Sequence, residues 1–319
     1  MNATSRPPTW KVLLAFGIIY FVWGSTFLAI RVGVREVPPL LLAGMRFFVA
    51  GIVLYGWMRL RGESSPTARE WGAATILAAL IFLVDYGCLF WAEQRIPSGI
   101  AAVMLATIPA FMTISEILIL RTQRLTLRLA VALLVGLGGV AVLMSRNLSF
   151  GETPLDTGGA CALIVAAVSW SVAAALTRRL TLPSAKAMSS AAQMLTGGVL
   201  LILTAALFGE FRGFKAEAVS QRAWFALAYL IVAGSIVGFT AYVWLIHHES
   251  PTKVGTYAYV NPVVAVLVGY FLGGEALGRR TIMGTLLVLV SVIVITTTPA
   301  KKEQSNSVVG PAPLSLDAE

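Results

Sequence analysis

Ten apolar stretches fill this chain from Lys11 to about Thr298, and the motifs of the first five return in order in the last five. Single residues recur at offsets of 147 to 154 positions. The matched pairs are Trp23 and Trp170, Arg31 and Arg178, Gly51 and Gly198, Pro97 and Pro251, Pro109 and Pro262, and Leu125 and Leu277. A repeat with an odd number of membrane spans must insert its second copy upside down. Inverted repeats of this kind are typical of secondary transporters.

The composition of the chain also indicates a membrane protein. Charged residues make up 12% of the sequence and the mean hydropathy is +0.82, whereas a soluble domain has about 25% charged residues. Each span needs roughly 20 apolar residues, and a lipid-exposed backbone must satisfy its own hydrogen bonds as a helix. We therefore predict an all-α integral membrane protein with ten transmembrane helices arranged as two inverted five-helix repeats. The repeats cover residues 11–145 and 156–298, and residues 299–319 form a disordered cytoplasmic tail.

The distribution of lysine and arginine predicts the orientation of the chain. With the N-terminus in the cytoplasm, fourteen of these residues lie inside and nine outside, and Arg46 lies within the membrane, which accounts for all 24. Because inner loops carry the excess of positive charge, both termini are predicted to be cytoplasmic. The net charge of +9 then reflects topology. No loop is large enough to build the basic soluble surface that nucleic acid binding requires.

Several short motifs form one combined signature. They are 23–26 (WGST), 38–39 (PP), 43–47 (AGMRF), 97–102 (PSGIAA) with Thr107 and Pro109, 169–170 (SW), 257–265 (YAYVNPVVA) and 273–275 (GGE). Together they resemble the EamA-type permeases of the drug/metabolite transporter superfamily over residues 11–298. The resemblance implies ten helices in two inverted repeats, a location in the bacterial inner membrane and export of small metabolites. One departure is Gln123, which stands where the second copy has Glu275.

Aromatic and polar residues at helical spacing suggest a binding cavity. Trp23 shares one face of the first helix with three other aromatic side chains. An aromatic cavity with a few polar groups is the usual composition of a small-molecule site. The predicted substrate-binding residues are Trp23, Tyr86, Thr107, Trp170, Trp244, Tyr257 and Asn261. The alternative is that these residues serve ordinary helix packing or form a belt at the membrane interface.

Two prolines at matching repeat positions, Pro109 and Pro262, are predicted to lie inside the fourth and ninth helices. A proline there removes one backbone hydrogen bond and frees a carbonyl one turn earlier. Paired interruptions in the two halves of a transporter point to a site or a hinge. The sequence leaves a hinge and a tolerated kink as equal alternatives.

Three charged residues fall within predicted spans, where charges are costly enough to indicate function. Arg46 and Asp85 lie at matching depths on neighbouring helices, which predicts a buried ion pair. Glu116 stands apart and is the preferred candidate for proton coupling, because a membrane-embedded acid can bind and release a proton in each cycle. Alternatively, Glu116 snorkels toward Arg121 or Arg124 at the cytoplasmic interface, and the protein is a uniporter.

The sequence thus predicts a secondary transporter that exports small organic metabolites, such as amino acids or drugs, by alternating access. An importer or facilitator, and a membrane scaffold or receptor without transport, are the alternatives. An enzyme is not expected, because His247 and His248 lack a partnered serine. Cys88 and Cys161 have no metal-ligand spacing, and we expect no cofactor. The expected partners are a small-molecule substrate and the lipid bilayer, with a monomer or weak homodimer as the assembly.

Overall fold

The computed structural model describes residues 7–95, 101, 104–144, 156–264 and 279–298, and all regular structure in these ranges is helical. The described helices are α1 (Thr9–Gly33), α2 (Pro39–Leu60), α3 (Ala68–Glu93), α4 (Ile108–Leu120), α5 (Leu127–Met144), α6 (Thr157–Thr177), α7 (Lys186–Leu207), α8 (Gln221–His248), α9 (257–264) and α10 (Arg279–Thr297). Single turns at Ala216–Ala218 and Pro251–Val254 precede α8 and α9. The predicted tail, residues 145–155 at the junction of the predicted repeats, most of the motif 97–102 and the motif 273–275 lie outside the described residues.

Six helices are long and apolar enough to cross a membrane: α1, α2, α3, α6, α7 and α8. Helices α4, α5 and α10 are apolar but shorter within the described ranges. The all-α, multi-pass membrane class predicted from the sequence is therefore confirmed. The arrangement as ten spans in two inverted repeats stays a prediction.

Polar side chains cap several helices where the chain enters an apolar stretch. Thr67 caps α3, because its hydroxyl accepts from the Glu70 backbone N–H while the Glu70 carboxylate accepts from the Thr67 N–H at 2.7 Å. The Asp156 carboxylate accepts from the Gly159 N–H at 2.6 Å and caps α6, and Ser220 caps α8. These caps satisfy backbone groups that have no partner inside the helix.

The repeat-related glycines Gly51 and Gly198 lie where α2 packs closely against α7. A Cβ atom at Gly51 would collide with the backbone of Leu195, and one at Gly198 would collide with the backbone of Phe48. Small residues allow two membrane helices to approach this closely. The repeated glycine pair thus marks a tight contact between the two halves.

Helices α3 and α8 contain π-helical segments, at Ala79–Tyr86 and Leu230–Phe239. A third, Glu116–Leu120, ends α4. In a π-helix each N–H bonds five residues back, so every turn holds more residues than in an α-helix. The helix face on which later side chains lie is therefore shifted. The segment Ala79–Tyr86 supplies Asp85 and Tyr86 to the cavity described below, and the Gly234 carbonyl of the second segment accepts from the Trp23 indole N–H at 3.0 Å.

Candidate functional site

A cluster of aromatic rings occupies the buried core of the protein. The repeat-related Trp23 and Trp170 meet edge to face, with ring centres 5.6 Å apart. Tyr257 lies 4.8 Å from Trp23, and Tyr242 lies 5.3 Å from Trp23 and 4.9 Å from Trp170. Tyr86 extends the group at 6.0 Å from Trp170. Aromatic pairs add roughly 0.5–1.5 kcal/mol each beyond the area they bury, so this cluster stabilises the contact between the halves.

Four rings of the cluster border a cavity that receives side chains from both halves of the chain. The lining residues are Trp23, Thr26, Ile30, Asp85, Tyr86, Leu89, Leu105, Ile108, Trp170, Tyr257, Ala258, Asn261 and Pro262. The free volume is about 60 Å³, which holds water molecules, whereas small-molecule sites usually have roughly 300 Å³ or more. The cavity must therefore widen before it can hold an organic solute.

Five of the seven predicted substrate-binding residues meet at this cavity: Trp23, Tyr86, Trp170, Tyr257 and Asn261. The other two do not line it. The Thr107 hydroxyl donates to the Met104 carbonyl at 2.6 Å, directly before α4. The Trp244 ring stacks on His248 at 4.2 Å and borders a separate groove together with Trp10 and Lys11.

Asp85 is the acidic side chain among the described residues that line the cavity. It lies on the π-helical segment of α3 and is only 5% exposed. Within the described part of the chain, its carboxyl group forms no hydrogen bond and no ion pair. A buried carboxylate without a partner is costly. Binding of a proton or of a cation from the cavity would offset that cost.

The predicted ion pair between Arg46 and Asp85 is wrong. The Arg46 Nε donates to the Ser235 hydroxyl at 2.8 Å, and the guanidinium carbon lies 4.5 Å from the Phe47 ring centre and 5.3 Å from that of Tyr86. Gly234 leaves room for this approach, because a Cβ there would come within 2.8 Å of an Arg46 terminal nitrogen. Arg46 therefore joins α2 to α8 and leaves Asp85 without a cation.

Two buried polar atoms beside the cavity also lack partners. The Asn261 Oδ1 accepts no hydrogen bond, and the Trp170 Nε1 donates none of good geometry. Buried polar atoms in native proteins are usually satisfied, and exceptions mark a functional group or a bound molecule. Asn261 and Asp85 thus present hydrogen-bond acceptors to the cavity. In the described ranges, no three His, Cys, Asp or Glu side chains are grouped closely enough to hold a metal ion.

Glu116 is buried outside the cavity and is fully hydrogen-bonded. Its Oε2 accepts from the backbone N–H of Thr252 at 3.1 Å and from the Thr252 hydroxyl at 2.7 Å, and its Oε1 accepts from the Thr122 hydroxyl at 3.2 Å. The prediction that Glu116 snorkels toward Arg121 or Arg124 is wrong, because its side chain is only 1% exposed. The carboxyl group instead binds the N-terminus of the turn Pro251–Val254, where backbone N–H groups favour an anion.

The two predicted hinge prolines differ in their positions. Pro109 lies in the first turn of α4 rather than inside a helix, so the predicted interior position is wrong. A proline is favoured in a first turn, since its missing N–H would have no helical partner there. Pro262 lies inside α9 and lines the cavity. A hinge role for either residue stays a prediction.

The sequence reasoning missed Thr26, Ser235 and Tyr242. Thr26 belongs to the WGST motif, so a signal for it was available. Ser235 lies within the π-helical part of α8, and Tyr242 follows it. Within the regular part of α8, Thr240 and Trp244 border the separate groove, whereas Tyr242 lies on another face of the helix, against Trp23 and Trp170.

Comparison with known proteins identifies the family. The EamA-like transporter family model matches residues 9–145 and again 157–297. The chain is 37% identical over 292 residues to the uncharacterized inner membrane transporter YedA of Escherichia coli strain K12, covering 90% of this chain and 92% of YedA. It is 24% identical to the uncharacterized transporter YoaV of Bacillus subtilis over 92% of this chain and 99% of YoaV. Protein PecM of Dickeya dadantii is also 24% identical, over 86% of this chain and 88% of PecM.

A solved crystal structure has the same fold, with a TM-score of 0.73 at 21% sequence identity, over 91% of this chain and 98% of that one. The signature motifs, which also resemble those of YedA-type permeases, are confirmed as a family signature by these matches. The six apolar helices agree with a membrane protein, as the name of the inner membrane transporter YedA indicates for that relative. The chain belongs to the EamA-like transporter family, a family of membrane transporters.

Proposed function

We propose that this protein is a secondary transporter that exports small organic solutes, such as amino acids, related metabolites and amphipathic drugs, from the cytoplasm. The observation that carries the proposal is the cavity. It combines four aromatic rings with the carboxyl group of Asp85, which has no partner among the described residues, and the unpartnered amide oxygen of Asn261. Aromatic walls with a few convergent polar groups suit a small organic ligand.

Both halves of the chain contribute to the cavity, which supports alternating access. The first half supplies Trp23, Asp85 and Tyr86, and the second supplies Trp170, Tyr257 and Asn261. A site between two halves can open to either side when one half rocks against the other. The 60 Å³ volume is too small for a metabolite. We assign the described conformation to a contracted state between the two open ones.

The proposed orientation places both termini in the cytoplasm, with ten spans in a bacterial inner membrane as two inverted repeats. It rests on the fourteen-to-nine excess of lysine and arginine on the inner side. A reporter fused after Lys302 should be active on the cytoplasmic side. A reporter that is active in the periplasm would contradict the orientation.

We further propose that transport is linked to protons through Asp85. The sequence favoured Glu116, because an ion pair with Arg46 was expected to keep Asp85 charged. Asp85 has no such pair, and it lines the cavity. Glu116 is held by two threonines away from the cavity. A proton carrier must exchange with the transport pathway, and the position of Asp85 satisfies that condition.

The test is solute flux in proteoliposomes with a panel of metabolites, with and without an imposed pH gradient. We expect saturable flux for part of the panel and accumulation beyond the solute gradient when a pH gradient is present. Saturable flux without such accumulation would leave a uniporter. An absence of saturable flux across the panel would overturn the transport proposal, and flux driven only inward would establish an importer.

A further inference from the structure

The charged groups at the cavity favour solutes of one charge over others. No lysine or arginine is among the described lining residues, and Asp85 supplies the one formal charge. The titratable groups that interact electrostatically with Asp85 are Tyr86, Cys88, Tyr242 and Tyr257. Phenols and thiols of this kind are ordinarily uncharged at neutral pH. Arg46 lies behind the Tyr86 ring, 5.3 Å from its centre, and its Nε donates to Ser235; it interacts with Tyr86 but is not among the described lining residues.

The uncharged groups of the cavity also favour a positive ligand. The faces of tryptophan and tyrosine rings attract cations, most strongly where water is excluded. Trp23, Tyr86, Trp170 and Tyr257 are all less than 9% exposed and surround the site on several sides. The Asn261 Oδ1 adds a hydrogen-bond acceptor that no described residue satisfies. Two acceptors within an aromatic enclosure match the N–H groups of a protonated amine.

A ligand that carries a carboxylate suits this cavity poorly. Such a group would need a cation at the site, and no lysine or arginine is among the described lining residues. In the low dielectric of a buried site, a second carboxylate close to Asp85 would be strongly repelled. Anions and zwitterions are therefore disfavoured relative to an amine with the same apolar part.

We propose that the substrate is an organic cation, a protonated amine with an aromatic or aliphatic tail. Its ammonium group binds Asp85 and Asn261, and its tail packs against the ring cluster. The proposal rests on the transport function above and narrows its substrate class from amino acids and metabolites to amines. The ammonium group and a proton then compete for the same carboxyl group, which makes outward movement of the amine an exchange for an inward proton.

A matched series of ligands that share one ring and chain length tests the proposal. The probes are phenethylamine, L-phenylalanine, 3-phenylpropionate and 2-phenylethanol, measured for equilibrium binding to the purified full-length protein in detergent. We expect phenethylamine to bind at least about tenfold more tightly than the other three, since one charge–charge contact at a partly buried site contributes this much or more. Equal binding of the four probes, or tighter binding of the zwitterion or the anion, would overturn the amine assignment.

Variants locate the site. Asp85→Asn should weaken phenethylamine binding at least about tenfold, Asp85→Glu should retain selection for the cation, and Glu217→Gln, an exposed acid in the turn Ala216–Ala218, should change nothing. If Asp85→Asn does not fold, Asn261→Ala and the ligand series on the unmodified protein decide the question. Unchanged affinity in a folded Asp85→Asn protein would overturn the assignment.

Failure of this inference and failure of the transport function give different results. Saturable flux of L-phenylalanine or 3-phenylpropionate without binding of phenethylamine would overturn the amine proposal and support a transporter. Selective amine binding without flux of any probe would support the site and count against transport. Neither binding nor flux of any probe would overturn the amine proposal and count against transport.

Discussion

Two buried carboxyl groups in this protein show how differently the same chemistry can be used. Glu116, at the end of α4, is 1% exposed and accepts three hydrogen bonds from Thr252 and Thr122. Asp85, on α3, is 5% exposed and has no hydrogen-bond partner among the described residues, although it faces a cavity. Burial is nearly equal in the two cases. The difference lies in the partners: Glu116 holds two segments together, and Asp85 is available to a ligand or a proton.

Among the variants that test this comparison of the two acids, Asp85→Asn should have the largest effect on transport. The substitution keeps the shape of the side chain and removes its charge. We expect solute accumulation under a pH gradient to fall to the level of protein-free liposomes, because the proton site is lost. Stability should be unchanged or slightly higher, since an unpaired buried charge is unfavourable. Normal accumulation by the variant would remove Asp85 from the mechanism.

Glu116→Ala should give the opposite result. It strands the backbone N–H and the hydroxyl of Thr252, so the free energy of unfolding should fall by about 2–4 kcal/mol. An unfolding titration in mixed micelles measures this loss. Transport per folded molecule should stay near normal, and Glu116→Gln, which retains one acceptor oxygen, should cost less. A stable Glu116→Ala protein without transport would reverse the roles of the two acids.

The environment of Arg46 can be tested by two double-mutant cycles. The coupling energy between Arg46→Met and Ser235→Ala should be about 1–2 kcal/mol, because they remove one charged hydrogen bond. The coupling between Arg46→Met and Asp85→Asn should be below about 0.5 kcal/mol, the usual limit for independent sites. A coupling energy of about 3 kcal/mol in the second cycle would instead show that Arg46 and Asp85 form the ion pair that the sequence predicted.

The smallest effect concerns Glu36, an exposed carboxyl group on the loop between α1 and α2. Its two oxygens accept from the backbone N–H and the hydroxyl of Ser220, and these bonds lower the pKa of Glu36 below its ordinary 4.5. A carboxyl group whose pKa is lower in the folded than in the unfolded protein stabilises the folded state at pH values above its unfolded pKa. That stabilisation is lost as the pH falls through the folded pKa. Glu36→Gln should therefore be slightly less stable near pH 7, and the difference should close in acid. A difference that persists below about pH 3 would contradict this origin.

The sequence alone was sufficient for the class of protein and for much of the cavity. Twenty-residue apolar stretches can only be helices in a bilayer, and six of them are confirmed. Trp23 and Trp170 stand out because they occupy equivalent places in the two repeats, and they meet in the core. Gly51 and Gly198 also occupy equivalent places in the two repeats, and they lie where α2 packs closely against α7.

The partners of the buried charges were decided only by the tertiary structure. Matching depth suggested that Arg46 would bind Asp85, but depth does not specify the direction in which a long side chain turns. Ser235 and the space beside Gly234 determine that direction. Glu116 likewise finds its partner in Thr252, 136 positions later in the chain, and no local pattern relates residues so far apart.

Helix phase is the other property that the sequence did not determine. A regular α-helical period predicts which side chains share a face, and Thr240 and Trp244 of α8 do border one groove together. The period does not specify which face of the helix is turned toward the cavity. Another face of α8, which carries Tyr242, joins the aromatic cluster, and Trp244 lies outside the cavity. Apolar composition and repeated motifs are local properties of the chain, so the sequence specifies them. The facing of side chains across helices depends on packing between distant segments, which only the folded chain establishes.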